Sequence, residues 1–132
     1  MVGQPPWQLV APEQRERVIA LSASRGSGAP PLFIEVNVAG EPTKFGVRPE
    51  QVADLVARTR GLGLPVTGLM TVAPRVAEPD QARPVFAALR HLAQDLDLPQ
   101  LSMGMTDDFE AAILEGATHV RIGRAIFGER DQ

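Results

Sequence analysis

Residues 101–123 read LSMGMTDDFEAAILEGATHVRIG, and this stretch decides the fold. Leu101 and Met103 alternate with Ser102 and Gly104, the two-residue period of a short strand. From Asp107 onward the spacing turns helical, with an Asp107/Glu110 capping pattern at the start and Gly116 past the end. His119, Arg121 and Gly123 then alternate with Val120 and Ile122. A strand, a helix and a strand joined by a few residues each make a βαβ unit, and that unit demands parallel strands.

The same rhythm extends upstream. DQARPVFAALRHLAQDL, residues 80–96, is the clearest helix, since Ala82, Val85, Phe86, Leu89, Leu92, Ala93 and Leu96 form one apolar stripe. PVTGLMTV before it reads as a strand. RPEQVADLVARTRG reads as a helix with Pro49 early, Val52, Leu55 and Val56 inward, and Gly61 as its C-cap. LFIEVNV, residues 32–38, puts Leu32, Ile34, Val36 and Val38 on one face and Phe33, Glu35 and Asn37 on the other. A further helix is expected at 12–24, and the opening MVGQPPW is Pro/Gly-rich, with Trp7 as a packing residue. The order is one helix, three βα pairs and a last strand, with strands near 32–38, 65–72, 100–104 and 119–123. Phe33, Thr67, Leu69 and Thr71 are expected on the face turned away from the helices.

Composition narrows the function. The chain has 132 residues, 44% apolar and 22% charged, enough for one domain with its own core. It has no cysteine, so thiolate metal sites are excluded, and a reducing cytoplasm is the expected setting. A net charge of −3 without a basic stripe argues against nucleic acid. No apolar run reaches the ~18 residues of a membrane span. His91 is expected in solvent and His119 in a structural role. Neither has neighbours at metal-ligand spacing, and no Ser/His/Asp set suggests a nucleophile.

In α/β folds ligands bind at the carboxyl ends of the strands. Asn37, Ser102, Gly104, Arg121 and Gly123 fall at those ends, on the faces opposite the apolar residues. Glycines there admit close approach of backbone N–H groups to an anion, and the helix start at Asp107 adds partial positive charge. Two readings stay open on pattern alone. One is a phosphate site; the other has turn glycines and an Arg121–Glu35 pair across the polar face.

LSMGMTDDFEAAILEGATHVRIGRAIFGER resembles the signature of the pyridoxal phosphate homeostasis proteins, single-domain relatives of the alanine racemase barrel. LFIEVNVAGEPTKFGV and VTGLMTV match two further blocks in order, so the resemblance covers 32–130 and leaves 1–31 as an irregular start plus a helix within one partial barrel domain. It implies a TIM-type barrel that binds pyridoxal 5′-phosphate (PLP) and serves vitamin B6 supply without an established reaction. By position, Arg121 is expected to face the pyridine nitrogen. Ser102, Gly104, Gly123 and the amide of Arg124 are expected on the phosphate, with Met105 and Thr106 lining the loop. Arg124 stands where the family has Thr or Ser. The family's Schiff-base lysine lies on the first barrel strand, before anything matched here, and Lys44 is the sole lysine. The resemblance therefore implies parallel βα units forming the second half of the barrel, strands five to eight. It also implies PLP held noncovalently at best, and a homodimer or a separate N-terminal half as partner. The alternative is a fragment of an alanine-racemase-type PLP enzyme.

Overall fold

The computed structural model describes residues 31–42 and 45–123. The expectations for Trp7, the helix at 12–24, Lys44 and Arg124 lie outside the described residues. Strand β1 spans Leu32–Glu35, β2 Val66–Met70 and β3 Gln100–Ser102, interleaved with helices α1 (Val52–Gly61), α2 (Arg83–Asp95) and α3 (Phe109–Leu114). The three strands form one parallel sheet in the order β1-β2-β3. The α/β class and the parallel pairing expected from the βα rhythm are therefore observed.

Two of the helices start by the same device. RPEQ and EPDQ each place Pro first in a 3₁₀ turn, where its missing N–H costs nothing. The glutamine two residues on returns its Oε1 to the backbone N–H just before the proline, from Arg48 at 3.3 Å and from Glu78 at 3.1 Å. Helix α1 runs through Gly61, and the left-handed residue that closes it is Gly63 at φ 80°. The cap expected at Gly61 thus falls two residues later, where a positive φ is needed.

Register fixes the two faces of the sheet. Ile34, Leu69 and Leu101 are cross-strand neighbours, as are Glu35, Met70 and Ser102. The first set is buried with Phe86, Leu89 and Ala93 of α2 and Val52 and Val56 of α1. Each large side chain buried there contributes about 1.5–3 kcal/mol. Leu69 and Thr71 are fully buried on this helix-covered side, not on the open face where they were expected. The pairing with Ile34 and Leu101 leaves Leu69 no other side, and Thr71 buries its hydroxyl by donating to the Val36 carbonyl at 2.6 Å.

The fourth strand is a correction. His119 makes only an isolated parallel bridge to Ser102. The backbone still follows β3, with Met103 N–H donating to the His119 carbonyl (3.0 Å) and Arg121 N–H to that of Gly104 (2.9 Å). Gly104 at φ 103° bends the chain just past β3, so 119–123 has no straight strand to pair with. Among the described residues no helix is long and apolar enough to cross a membrane, and no acidic, His or Cys cluster is arranged for a metal.

Candidate functional site

Ser102 ends β3 and is half-buried on the sheet face away from the helices. The Gly104 turn follows at once. An ideal Cβ on Gly104 would lie 2.7 Å from the Ala112 Cβ and 3.2 Å from Val120 Cγ1, so only glycine admits both the positive φ and the seat of α3. The Arg121 N–H bond to the Gly104 carbonyl ties the next segment to that turn. Ser102, Gly104 and Arg121 are therefore brought together. Gly123 lies two residues beyond Arg121, exposed and with open space around its Cα.

Arg121 is exposed and forms no ion pair among the described residues, so the alternative pairing with Glu35 is not realised. Among the described residues it stands as an unneutralised cation, its backbone tied just past the half-buried Ser102. That combination suits a charge-assisted contact with an anion.

Two expected contributors are committed elsewhere. Asn37 accepts from the Gly40 and Glu41 N–H groups at 3.1 and 3.2 Å and donates to the Glu41 carbonyl at 2.7 Å, so its carboxamide closes the loop after β1. The helix start expected at Asp107 falls later, at Phe109, and Asp108 is the N-cap residue. Its carboxylate turns back to accept the Met105 N–H at 2.7 Å, which occupies that amide. Met105 is exposed and Thr106 half-buried in the same loop.

Beside this turn a cleft of about 480 Å³ runs between the loops that follow β2 and β3, lined by Val72, Ala73, Arg75, Met105, Asp107 and Asp108 among others. The sequence reading did not single out the 72–76 loop, although its place after a strand end is the signal that marks such loops. Nor did it single out a charged clamp on the outer side of the sheet. There Glu115 accepts from Arg83 Nε at 3.1 Å and Nη2 at 2.9 Å, and from Arg90 Nη2 at 3.1 Å. The Arg83 bond holds the Glu115 carboxyl below the usual carboxylate range against the opposing pull of burial, and Arg90 adds to it.

Residues 8–131 match the family model for the alanine racemase N-terminal domain. A pyridoxal phosphate homeostasis protein of Aquifex aeolicus is 51% identical over 106 residues, 75% of this chain and 46% of the relative. Its counterpart in Pseudomonas aeruginosa is 48% identical over 116 residues, 84% of this chain and 50% of the relative. The chain spans about half the length of the curated relatives it matches. PipY of Synechococcus elongatus, solved with PLP bound, superposes with a TM-score of 0.70 at 29% identity, over 89% of this chain and 57% of that one.

Proposed function

This chain belongs to the alanine racemase N-terminal domain family, and on that premise we propose that it binds PLP as a vitamin B6 homeostasis protein and not as a racemase. The observation that carries the reading is the unpaired Arg121 tied to the Gly104 turn beside Ser102. The relatives, which are pyridoxal phosphate homeostasis proteins, and the PLP-bound PipY structure support it.

The donor set fits the group. The Ser102 hydroxyl, the backbone at Gly104 and Gly123, and the following Arg124 would take the phosphate. Met105 and Thr106 would line the loop, and Asn37 would act by shaping the wall at β1 rather than by contact. Bound PLP supplies an electrophilic aldehyde and an electron-withdrawing ring. Arg121, placed opposite the pyridine nitrogen, would keep that nitrogen unprotonated, because two positive charges there repel, and this would weaken the ring as an electron sink. Racemisation of the related kind uses a lysine and a tyrosine as its two bases. This chain has no tyrosine, and its one lysine is Lys44.

In this reading the three βα units and the segment 119–123 after them correspond to the later strands of the barrel, strands five to eight. The outer edge of β1 is paired only between Val36 and Val47 among the described residues. An open edge of this kind recruits another strand, from a second copy or from a separately supplied first half. Light scattering reads this out, with a mass above one chain as the expected result.

Titration with PLP, followed by the absorbance of the bound chromophore, tests the site. A charge-assisted bond is worth about 1.5–3 kcal/mol, so Arg121→Ala should weaken binding about tenfold or more. Borohydride should leave no stable adduct. Unchanged affinity in Arg121→Ala, specific reduction onto Lys44, or measurable alanine racemisation would each overturn the reading.

A further inference from the structure

We infer that His119 is an anion-facing residue of this site, presenting an Nε2–H beside Ser102 in both its neutral and its cationic form. The inference rests on the anion-site reading above and goes beyond it, because it adds a side-chain donor that the reading does not contain.

Three observations carry it. First, the Ser102–His119 bridge makes these residues cross-strand neighbours, so their side chains share one sheet face. Arg121, two residues on, is tied by its N–H to the Gly104 carbonyl just past Ser102. Second, the imidazole is exposed yet held in place. Its ring meets Phe33 edge-on, with centroids 5.3 Å apart and planes at 79°, and Nδ1 lies 2.8 Å from the Thr118 hydroxyl. Among the described residues Nε2 has no partner.

Third, the Thr118 hydroxyl can serve either protonation state of the ring. It accepts the Leu101 N–H at 2.8 Å and lies 3.1 Å from the Leu101 carbonyl. That carbonyl already accepts the Thr118 and His119 N–H groups at 2.9 and 3.0 Å, so it does not need the hydroxyl proton. With a neutral ring the hydroxyl donates to Nδ1, and the ring hydrogen sits on Nε2. With a cationic ring Nδ1–H donates to the hydroxyl oxygen, whose proton turns to the Leu101 carbonyl. Nε2 carries a hydrogen in both states, and only the charge differs.

Among the described residues the charged groups around the ring are few. Glu35 of β1 lies in the same cross-strand row through Met70 and Ser102, and Arg121 follows on the ring's own segment, while β2 and β3 present only uncharged side chains there. An anion at the site would take one hydrogen bond more from Nε2 than Ser102 and Arg121 supply.

Sulfate is the probe, because it is an anion without the ring of PLP. Calorimetric titration should show sulfate binding about fivefold weaker in His119→Phe than in wild type, the loss of one hydrogen bond to an anion with the ring shape kept. Glu35→Gln should bind sulfate at least as tightly as wild type. Circular dichroism checks that each variant is folded. Wild-type sulfate affinity in folded His119→Phe overturns the inference and leaves the PLP reading standing. No sulfate binding by the folded wild type overturns both.

Discussion

The two faces of one small sheet obey different rules. On the helix-covered face Ile34, Leu69 and Leu101 are buried in one core with Phe86 and Leu89, and Leu55 and Leu92 pack partly buried against it. On the other face, half a residue away along the same strands, Phe33, Glu35, Met70 and Ser102 are half-buried, and His119 and Arg121 are exposed. The first face has its partners within the chain; the second has side chains with unspent hydrogen-bonding capacity. Stability should therefore live on one face and ligand binding on the other, and substitutions on each should separate the two.

The largest effect is expected from Phe86→Ala. The side chain is fully buried in the core, so its loss should cost about 3–5 kcal/mol, read as a lower urea midpoint. If PLP affinity at low urea fell in proportion, the separation of the faces would be broken.

Gly68→Ala comes next. An added Cβ would run into the Gln100 carbonyl oxygen of the neighbouring strand, and rigid backbone cannot move aside cheaply. Overpacking of this kind costs about 1–3 kcal/mol, and the upper end is expected here. A Gly68→Ala protein as stable as wild type would show that β2 and β3 separate more easily than their register implies.

Glu115→Gln should cost about 1–2 kcal/mol. The carboxylate is largely buried, but Arg83 and Arg90 keep 42% and 33% of their side-chain exposure, which discounts the pair toward a surface value. Because the folded-state carboxyl holds its proton less tightly than the unfolded one, this contribution is complete above the ordinary carboxylate range and is lost as pH falls through the lowered folded value. Unfolding midpoints at about pH 6 and about pH 3 should drop less in Glu115→Gln than in wild type. An equal drop would assign the acid limb to other carboxylates.

Arg121→Ala sharpens the comparison from the other side. An exposed residue without an ion pair should change stability by less than about 0.5 kcal/mol while weakening PLP binding about tenfold. A large loss of stability would instead make Arg121 part of the framework.

Much of this was legible in the chain itself. The helical stripe through Phe86 and Leu89, the alternation of Ile34 and Val36, and the βα rhythm follow from side-chain period, a local property of the backbone. Ser102, Gly104 and Arg121 stood out for the same reason, as small and charged residues at strand ends. Pairing partners were not legible. Leu69 and Thr71 were placed on the wrong face because the side a residue takes depends on its register with β1 and β3. The fourth strand was lost because Gly104 bends the chain away from it, and Asn37 and Asp108 spend their polar atoms on their own loops.

The sequence by itself determined the three strands and three helices of the βα units, that those strands run parallel, and which residue types gather at their carboxyl ends. Only the tertiary structure decided that His119 stands beside Ser102 with its Nδ1 on Thr118, that Arg121 finds no carboxylate among the described residues, and that Glu115 is clamped by two arginines from another helix. Periodicity acts over a few residues and is written in their order. Neighbours 17 or 32 positions apart are chosen by the packing of whole elements, which no local pattern encodes.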